Sequence, residues 1–173
     1  RAVAVGQHMR PDARHGVGLG FGQGFLMGDF ATNFENNIGI NLNYAYESGT
    51  RFGLFVNIHY NTHSSTIDPV ASLGVKGLTP NLKVNLVKIE RLTLAAYGGL
   101  GALLVSETRG TVNAGYTLFT LQGGGMVNVD VSPHFRFGPS LNIMKVSSGT
   151  DSTSTPPSTM GGMMWELFFN VMY

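Results

Sequence analysis

The chain has 173 residues, enough for one domain, and no cysteine, which removes disulfide frameworks, thiolate catalysis and zinc knuckles. Only 12% of its residues are charged and the formal net charge is +1, so nucleic acid is not indicated as a partner. No apolar run reaches the roughly 18 residues of a membrane helix. The start (RAVAVGQHMRP) turns polar too soon for a secretory h-region, so either the chain is not exported or it is a mature form with its signal removed, and the rest of the sequence favours the second.

Residues 1–15 form an irregular cationic head, read as a flexible N-terminal segment separate from the domain at 16–173. Beyond it, helical periodicity is nearly absent and alternation of period two dominates. The first stretch opens with GVGLGFGQGF, in which Gly16, Gly18, Gly20, Gly22 and Gly24 alternate with larger residues. No G-x-G-x-x-G register fits, so this is a strand with a glycine strip on one face and not a phosphate loop. Val17, Leu19, Phe21, Phe25 and Met27 occupy its other face. The second stretch, 36–47, sets Ile38, Ile40, Leu42, Tyr44 and Tyr46 against Asn37, Gly39, Asn41, Asn43 and Glu47.

The third, 51–61, sets Phe52, Leu54, Val56, Ile58 and Tyr60 against Gly53, Phe55, Asn57, His59 and Asn61. In the fourth, 70–88, Ala71, Leu73 and Val75 are odd-numbered whereas Leu78, Leu82, Val84 and Leu86 are even, and a bulge at Lys76–Pro80 is expected to reconcile them. The fifth, 92–105, has no clear facing. The sixth, 116–130, places Phe119, Leu121, Val127 and Val129 opposite Gln122, Gly124, Asn128 and Asp130. The seventh, 134–146, alternates Phe135, Phe137, Leu141 and Ile143 with Arg136, Gly138, Ser140 and Asn142. The eighth, 161–173, places Met163, Trp165, Leu167, Phe169, Val171 and Tyr173 opposite Gly162, Glu166 and Asn170.

Connections after stretches two, four and six are short, and those near 29–36, 61–70, 106–115 and 147–160 are longer and polar. The last of these, SSGTDSTSTPPST, is low in complexity and read as mobile. Eight strands with this rhythm predict an all-β fold, an eight-stranded antiparallel up-and-down transmembrane β-barrel. Charge decides which face is outside. The large apolar positions named for stretches one to three and six to eight include no Asp, Glu, Lys or Arg, while Glu47, Arg136 and Glu166 lie opposite. A cation facing lipid at midplane costs about 2–4 kcal/mol, so the apolar face is expected to meet hydrocarbon. Tyr44, Tyr46, Phe52, Phe135, Phe137, Phe169 and Tyr173 would form one aromatic girdle, with Tyr60 and Trp165 in the other.

The closing WELFFNVMY resembles the C-terminal signal of bacterial outer-membrane β-barrels, and PNLKVNLVKIERLTLAAYGGLGA resembles the fourth-to-fifth strand hairpin of small barrels of the OmpA, OmpX and OmpW type. The resemblance covers residues 16–173 and implies a bacterial outer-membrane location, with periplasmic termini and extracellular long loops. It also implies contact with outer-membrane lipid and lipopolysaccharide, assembly by the barrel-assembly machinery through the last strand, and a monomer.

An eight-stranded barrel is narrow enough for side chains to fill it. Arg136 and Glu166, on adjacent strands and one face, are candidates for a buried ion pair, with Glu47, His59 and Lys83 joining a network with the Asn-rich second strand. The glycine strip leaves room for opposing Arg, Glu or Phe side chains, for the head, or for water. A structural or surface-interaction role is the reading adopted, with a narrow channel or carrier for small or hydrophobic solutes as the alternative. No catalytic residue is assigned. His63 and Ser65, at an outer loop, superficially resemble the His-x-Ser of a lipid A deacylase, but in the wrong strand. His8, His15, His59, His63 and His134 are too scattered for a metal site, and no cofactor is expected. A soluble lipocalin-like binder, the rival fold, would show outward charge and usually a helix.

Overall fold

The structure, a computed structural model, describes residues 14–48, 51–67, 71–109, 112–151 and 158–173. The predicted head, apart from Arg14 and His15, and the centre of the last long connection (152–157) lie outside the described residues. The strands are β1 (Arg14–Gly28), β2 (Asn37–Glu47), β3 (Phe52–Ser64), β4 (Ser72–Ile89), β5 (Leu92–Arg109), β6 (Val112–Ser132), β7 (Phe135–Asp151) and β8 (Ser158–Met172). One short helix, α1 (Asp29–Asn33), follows β1. Each strand pairs antiparallel with its sequence neighbours, and β8 returns to β1, so the sheet closes as an eight-stranded up-and-down barrel with no free lateral edge. From Asn61, the registered partners run through Gly39, Gly22, Phe168, Ser140, Met126, Ala95 and Asn85, whose N–H bonds the Arg51 carbonyl. That circuit returns ten residues from its start, a stagger that accompanies strands tilted by about 40°.

Period two decides what each strand presents. In the half nearer the short turns, Val17, Leu19, Phe21, Ile40, Leu54, Leu82, Leu121 and Leu167 point outward and are 40–61% exposed. Their alternates Asn41, Asn43, Asn57, Lys83, Gln122 and Glu166 point inward and are at most 2% exposed. An outer surface of this kind is destabilised by water and stabilised by hydrocarbon.

Toward the hairpin end the sense inverts. Outward positions there are Thr62, Ser64, Ser106, Thr117 and Ser147, while Leu73, Val75, Leu103, Val105, Leu118 and Val146 are buried inside. This inversion replaces the bulge expected at Lys76–Pro80. The β3–β4 ladder runs without a shift from Phe52–Val84 to Ser64–Ser72, and odd-numbered residues of β4 face inward from Leu73 to Lys83. What changes along β4 is the chemistry of each face, from water outside and an apolar core to an apolar belt around polar groups. The irregularity falls at Asn85/Val87 against β5, where odd residues from Thr93 to Glu107 face inward and settle that strand's facing.

Two expected loops also turn out to be largely strand. The β5–β6 ladder continues to Arg109–Val112, and the β7–β8 ladder to Asp151–Ser158 with a shift between Val146 and Gly149. Their polar composition reflects an outer face in water, because Tyr116 and Leu118 still alternate inward.

Candidate functional site in the lumen

The lumen is filled in three layers. Nearest the short turns, Lys83 Nζ donates to Glu47 Oε1 at 2.6 Å and Arg136 Nη1 to the same oxygen at 2.8 Å. Arg136 Nε also stands 3.5 Å from Asp130 Oδ1. Glu47 and Lys83 come from strands separated by β3, where both are registered with Gly53, and the absent side chain lets them meet across it. Lys83 is 1% exposed, so its charge depends on this partner.

The expected Arg136–Glu166 pair does not form. Register separates them: Arg136 faces Met172 on β8, six residues from Glu166 and about 20 Å along the strand. Glu166 lies in the middle layer instead, where His59 Nδ1 stands 3.0 Å from its Oε2. Asn61 Nδ2 donates to its Oε1 at 2.7 Å and Asn142 Nδ2 to Oε2 at 3.1 Å. His59 Nε2 meets Thr79 Oγ1 at 2.8 Å. Beside this group, Asn43 Nδ2 donates to Asn41 Oδ1 at 3.0 Å and Asn170 Oδ1 at 2.7 Å, and Asn170 passes a bond to Ser140 Oγ at 2.8 Å.

The glycine strip faces inward as expected, but Arg and Glu do not fill the space it leaves. A side chain at Gly20 would collide with Asn41 and Asn170, and one at Gly18 with Met172; Asn61 and His63 stand against Gly24. Tyr97 donates its hydroxyl to Asn142 Oδ1, and its ring packs tilted against Phe55 at 5.0 Å. Tyr97→Phe is expected to cost about 1 kcal/mol, because a buried amide oxygen loses its donor. The midpoint of urea unfolding in detergent would show it, and an unchanged midpoint would remove Tyr97 from the network.

The third layer is apolar. Leu26, Leu73, Val75, Leu103, Val105, Tyr116, Leu118, Met144, Val146 and Met164 form one buried cluster with Phe30 and Phe34. Gly28, at φ 74, turns the chain inward at the end of β1, so that α1 lowers Phe30 into the cluster. Across the wall, a Cβ at Gly162 would stand 3.3 Å from the Phe30 ring. Phe34 bridges Ser65, and Glu35 N–H bonds the Ser64 carbonyl at 2.9 Å.

His63 belongs to this layer and not to an outer loop, where the sequence places it. It is inside β3, fully buried, with Nδ1 2.8 Å from the Glu35 carbonyl and no partner for Nε2 among the described residues. Ser65 Oγ accepts the Ile67 N–H at 3.2 Å. Of the aromatic residues, Tyr44, Phe52, Phe135, Phe169 and Tyr173 are exposed on the outer face with Tyr60 and Trp165, whereas Tyr46 and Phe137 are half-buried. His15 Nδ1 lies 2.7 Å from the Tyr44 hydroxyl, and Phe137 packs on Phe169 at 5.7 Å. Sequence reasoning does not find the parts played by Asp130, Asn170 and Tyr97. The signal available for the first two is inward parity on strands whose facing the sequence makes clear.

No protein-family model matches the chain, and no curated protein matches it in sequence. Solved structures do. Neisserial surface protein A superposes with a TM-score of 0.67 at 11% identity, over 92% of this chain and 97% of that one. The fold is that of the small outer-membrane barrels. A major outer membrane protein from Thermus thermophilus gives 0.62 at 14% identity, over 94% and 98%. The N-terminal β-barrel domain of Pseudomonas aeruginosa OprF gives 0.58 at 11% identity, over 92% and 97%. Within that fold, this barrel has a lumen of ion pairs, then amides, then an apolar cap.

Proposed function

We propose that the protein is an outer-membrane anchor that holds rigid β-ribbons at the cell surface and passes no solute. The observation that carries this reading is the lumen: ion pairs, an amide layer around Glu166 and an apolar cluster capped by Phe30 succeed one another along its length. The apolar outer belt supports insertion in a bilayer, and the inverted faces beyond it support an upper section standing in water. In this reading the short turns and Arg14 face the periplasm, the long hairpins face outward, and a monomer assembles through β8, whose Trp165, Leu167, Phe169 and Val171 face lipid.

In planar bilayers the purified protein is expected to give no discrete conductance steps, and regular steps would overturn the anchor reading in favour of a channel. Orientation has its own test, because the chain has no native cysteine. Asn113→Cys, on β6 at the hairpin end, should be labelled by a membrane-impermeant maleimide on intact cells. His134→Cys, at the β6–β7 turn, should be labelled only after lysis. The reverse pattern would invert the topology.

A further inference from the structure

The two ends of the barrel differ in charge. Around the short turns the described residues include Arg14, Arg51, Lys83, Lys88, Arg91 and Arg136 against Glu47, Glu90 and Asp130. Over the rest of the described barrel the balance reverses, with Lys76, Arg109 and Lys145 against Asp29, Glu35, Glu107, Asp151 and Glu166. Charge of one sign gathered around a mouth raises the local concentration of the opposite ion. Residues 1–13 do not cancel the excess, since they add Arg1 and Arg10 against Asp12.

At that mouth lies a pocket of about 430 Å3 whose lining includes Arg14, His15, Gly16, His134, Arg136 and Met172, with no Asp or Glu among the described residues of its wall. Arg14 and Gly16 continue the inward parity of Gly18 and Gly20, and Met172 is buried inside. The pocket is therefore the vestibule of the lumen and not part of the outer belt. Its donors are largely unspent. Arg14 is exposed and makes no ion pair among the described residues. The His134 ring lies 6.2 Å from Tyr173 and makes no hydrogen bond among them either. His15 turns Nδ1 to the Tyr44 hydroxyl, which leaves Nε2. Arg136 and Lys83 share one oxygen of Glu47, so a single carboxylate serves two cations. The Tyr173 carbonyl, also in the wall, already accepts the Val17 N–H at 2.9 Å.

We propose that this vestibule is a binding site for the phosphate group of a small soluble solute. Guanidinium groups match the oxygens of phosphate in geometry and charge, and they donate hydrogen bonds without accepting any. A wall with two of them and two imidazoles suits a ligand made of acceptors, and phosphate offers more of these than a carboxylate does. Space for on the order of ten waters admits a phosphate with a small substituent. Arg136 belongs both to the pocket wall and to the ion-pair layer, which closes the lumen behind it. The site therefore holds its ligand and does not pass it on. This goes beyond anchoring, and it does not depend on which side of the membrane the mouth faces.

The test follows backbone amides of the whole isotope-labelled protein by NMR, in micelles of an uncharged detergent. Inorganic phosphate or acetate is titrated at constant ionic strength maintained with chloride. The Gly16 and His134 amides should shift saturably with phosphate, while those of Gly115 and Ser147 at the hairpin end stay in place. Acetate should need about tenfold more for the same shift, and so should phosphate on Arg14→Gln, the loss of one charge-assisted hydrogen bond. Lys145→Gln, a cation removed at the other end, should leave phosphate binding unchanged. Arg136 is not substituted, because its loss would disturb Glu47. Heat-modifiable gel migration should show both variants folded. Shifts that fail to saturate would overturn the site, as would equal affinity for acetate or full phosphate affinity in Arg14→Gln. A last arm places the protein in phosphatidylcholine nanodiscs with and without phosphatidylglycerol and no free phosphate. The two amides should not respond; if phosphatidylglycerol moves them, the occupant is a lipid headgroup and the assignment to a soluble solute falls.

Discussion

Glu166→Leu is expected to destabilise the barrel by about 3–5 kcal/mol, measured by urea unfolding in detergent micelles. The carboxylate is fully buried and takes His59 at 3.0 Å, Asn61 at 2.7 Å and Asn142 at 3.1 Å. Leucine preserves much of the volume, so the loss comes from three buried polar groups left facing an apolar side chain. Water cannot replace the carboxylate easily, since Asn61 and His59 are 1% exposed and Asn142 is fully buried. The prediction carries an internal check. Removing His59 as well, in His59→Leu/Glu166→Leu, eliminates the most costly orphan and leaves two amides and the Thr79 hydroxyl, which keeps its bond to the Asn57 carbonyl, so the double variant should lose only about 2 kcal/mol. A single variant costing less than the double would sink the claim that Glu166 organises the middle layer.

How much of this is legible in the sequence follows from which interactions are local. Alternation is a property of one strand, so the two faces of β2, with Asn41, Asn43 and Glu47 against Ile40, Leu42 and Tyr44, can be read directly and lead to the barrel. Partner choice is not local. Arg136 and Glu166 share a face and lie on adjacent strands, but pairing depends on register, and the β7–β8 register puts Met172 opposite Arg136. Its actual partner, Glu47, is 89 residues away on β2, across the closed lumen.

The apparent phase change on β4 misleads for another reason. Leu73 and Val75 are misread by the rule that apolar means lipid, which holds only inside the bilayer. Beyond it, the same parity obeys the rule for soluble barrels, and polar Thr62, Ser64 and Ser106 appear outside. The same change of surroundings makes the strand segments at 106–109, 112–115 and 147–151 look like loops. Phe30 cannot be read at all, because a five-residue helix has no periodicity to detect and its position depends on the turn at Gly28.

Phe30 is nonetheless the residue on which closure of the hairpin end is expected to depend. One turn of helix does not hold itself, and α1 has no side-chain cap at its start. The segment stays in place through the fully buried Phe30 ring, through Phe34, and through two bonds near Glu35: its N–H to Ser64 and its carbonyl to His63. Replacing a buried phenylalanine by alanine removes about 3–5 kcal/mol of burial and packing, more than those bonds provide. In Phe30→Ala the segment should therefore leave the lumen while the closed sheet beneath stays intact. Hydrogen exchange would show it: protection of the Glu35 amide should fall by on the order of a hundredfold, the equivalent of about 3 kcal/mol. Ladder amides at Asn43 and Asn57 should exchange as before. Conductance should stay absent, because the Glu47–Lys83–Arg136 layer still blocks the other end. A Phe30→Ala variant that keeps Glu35 protected would mean that the backbone bonds, and not the ring, hold the cap.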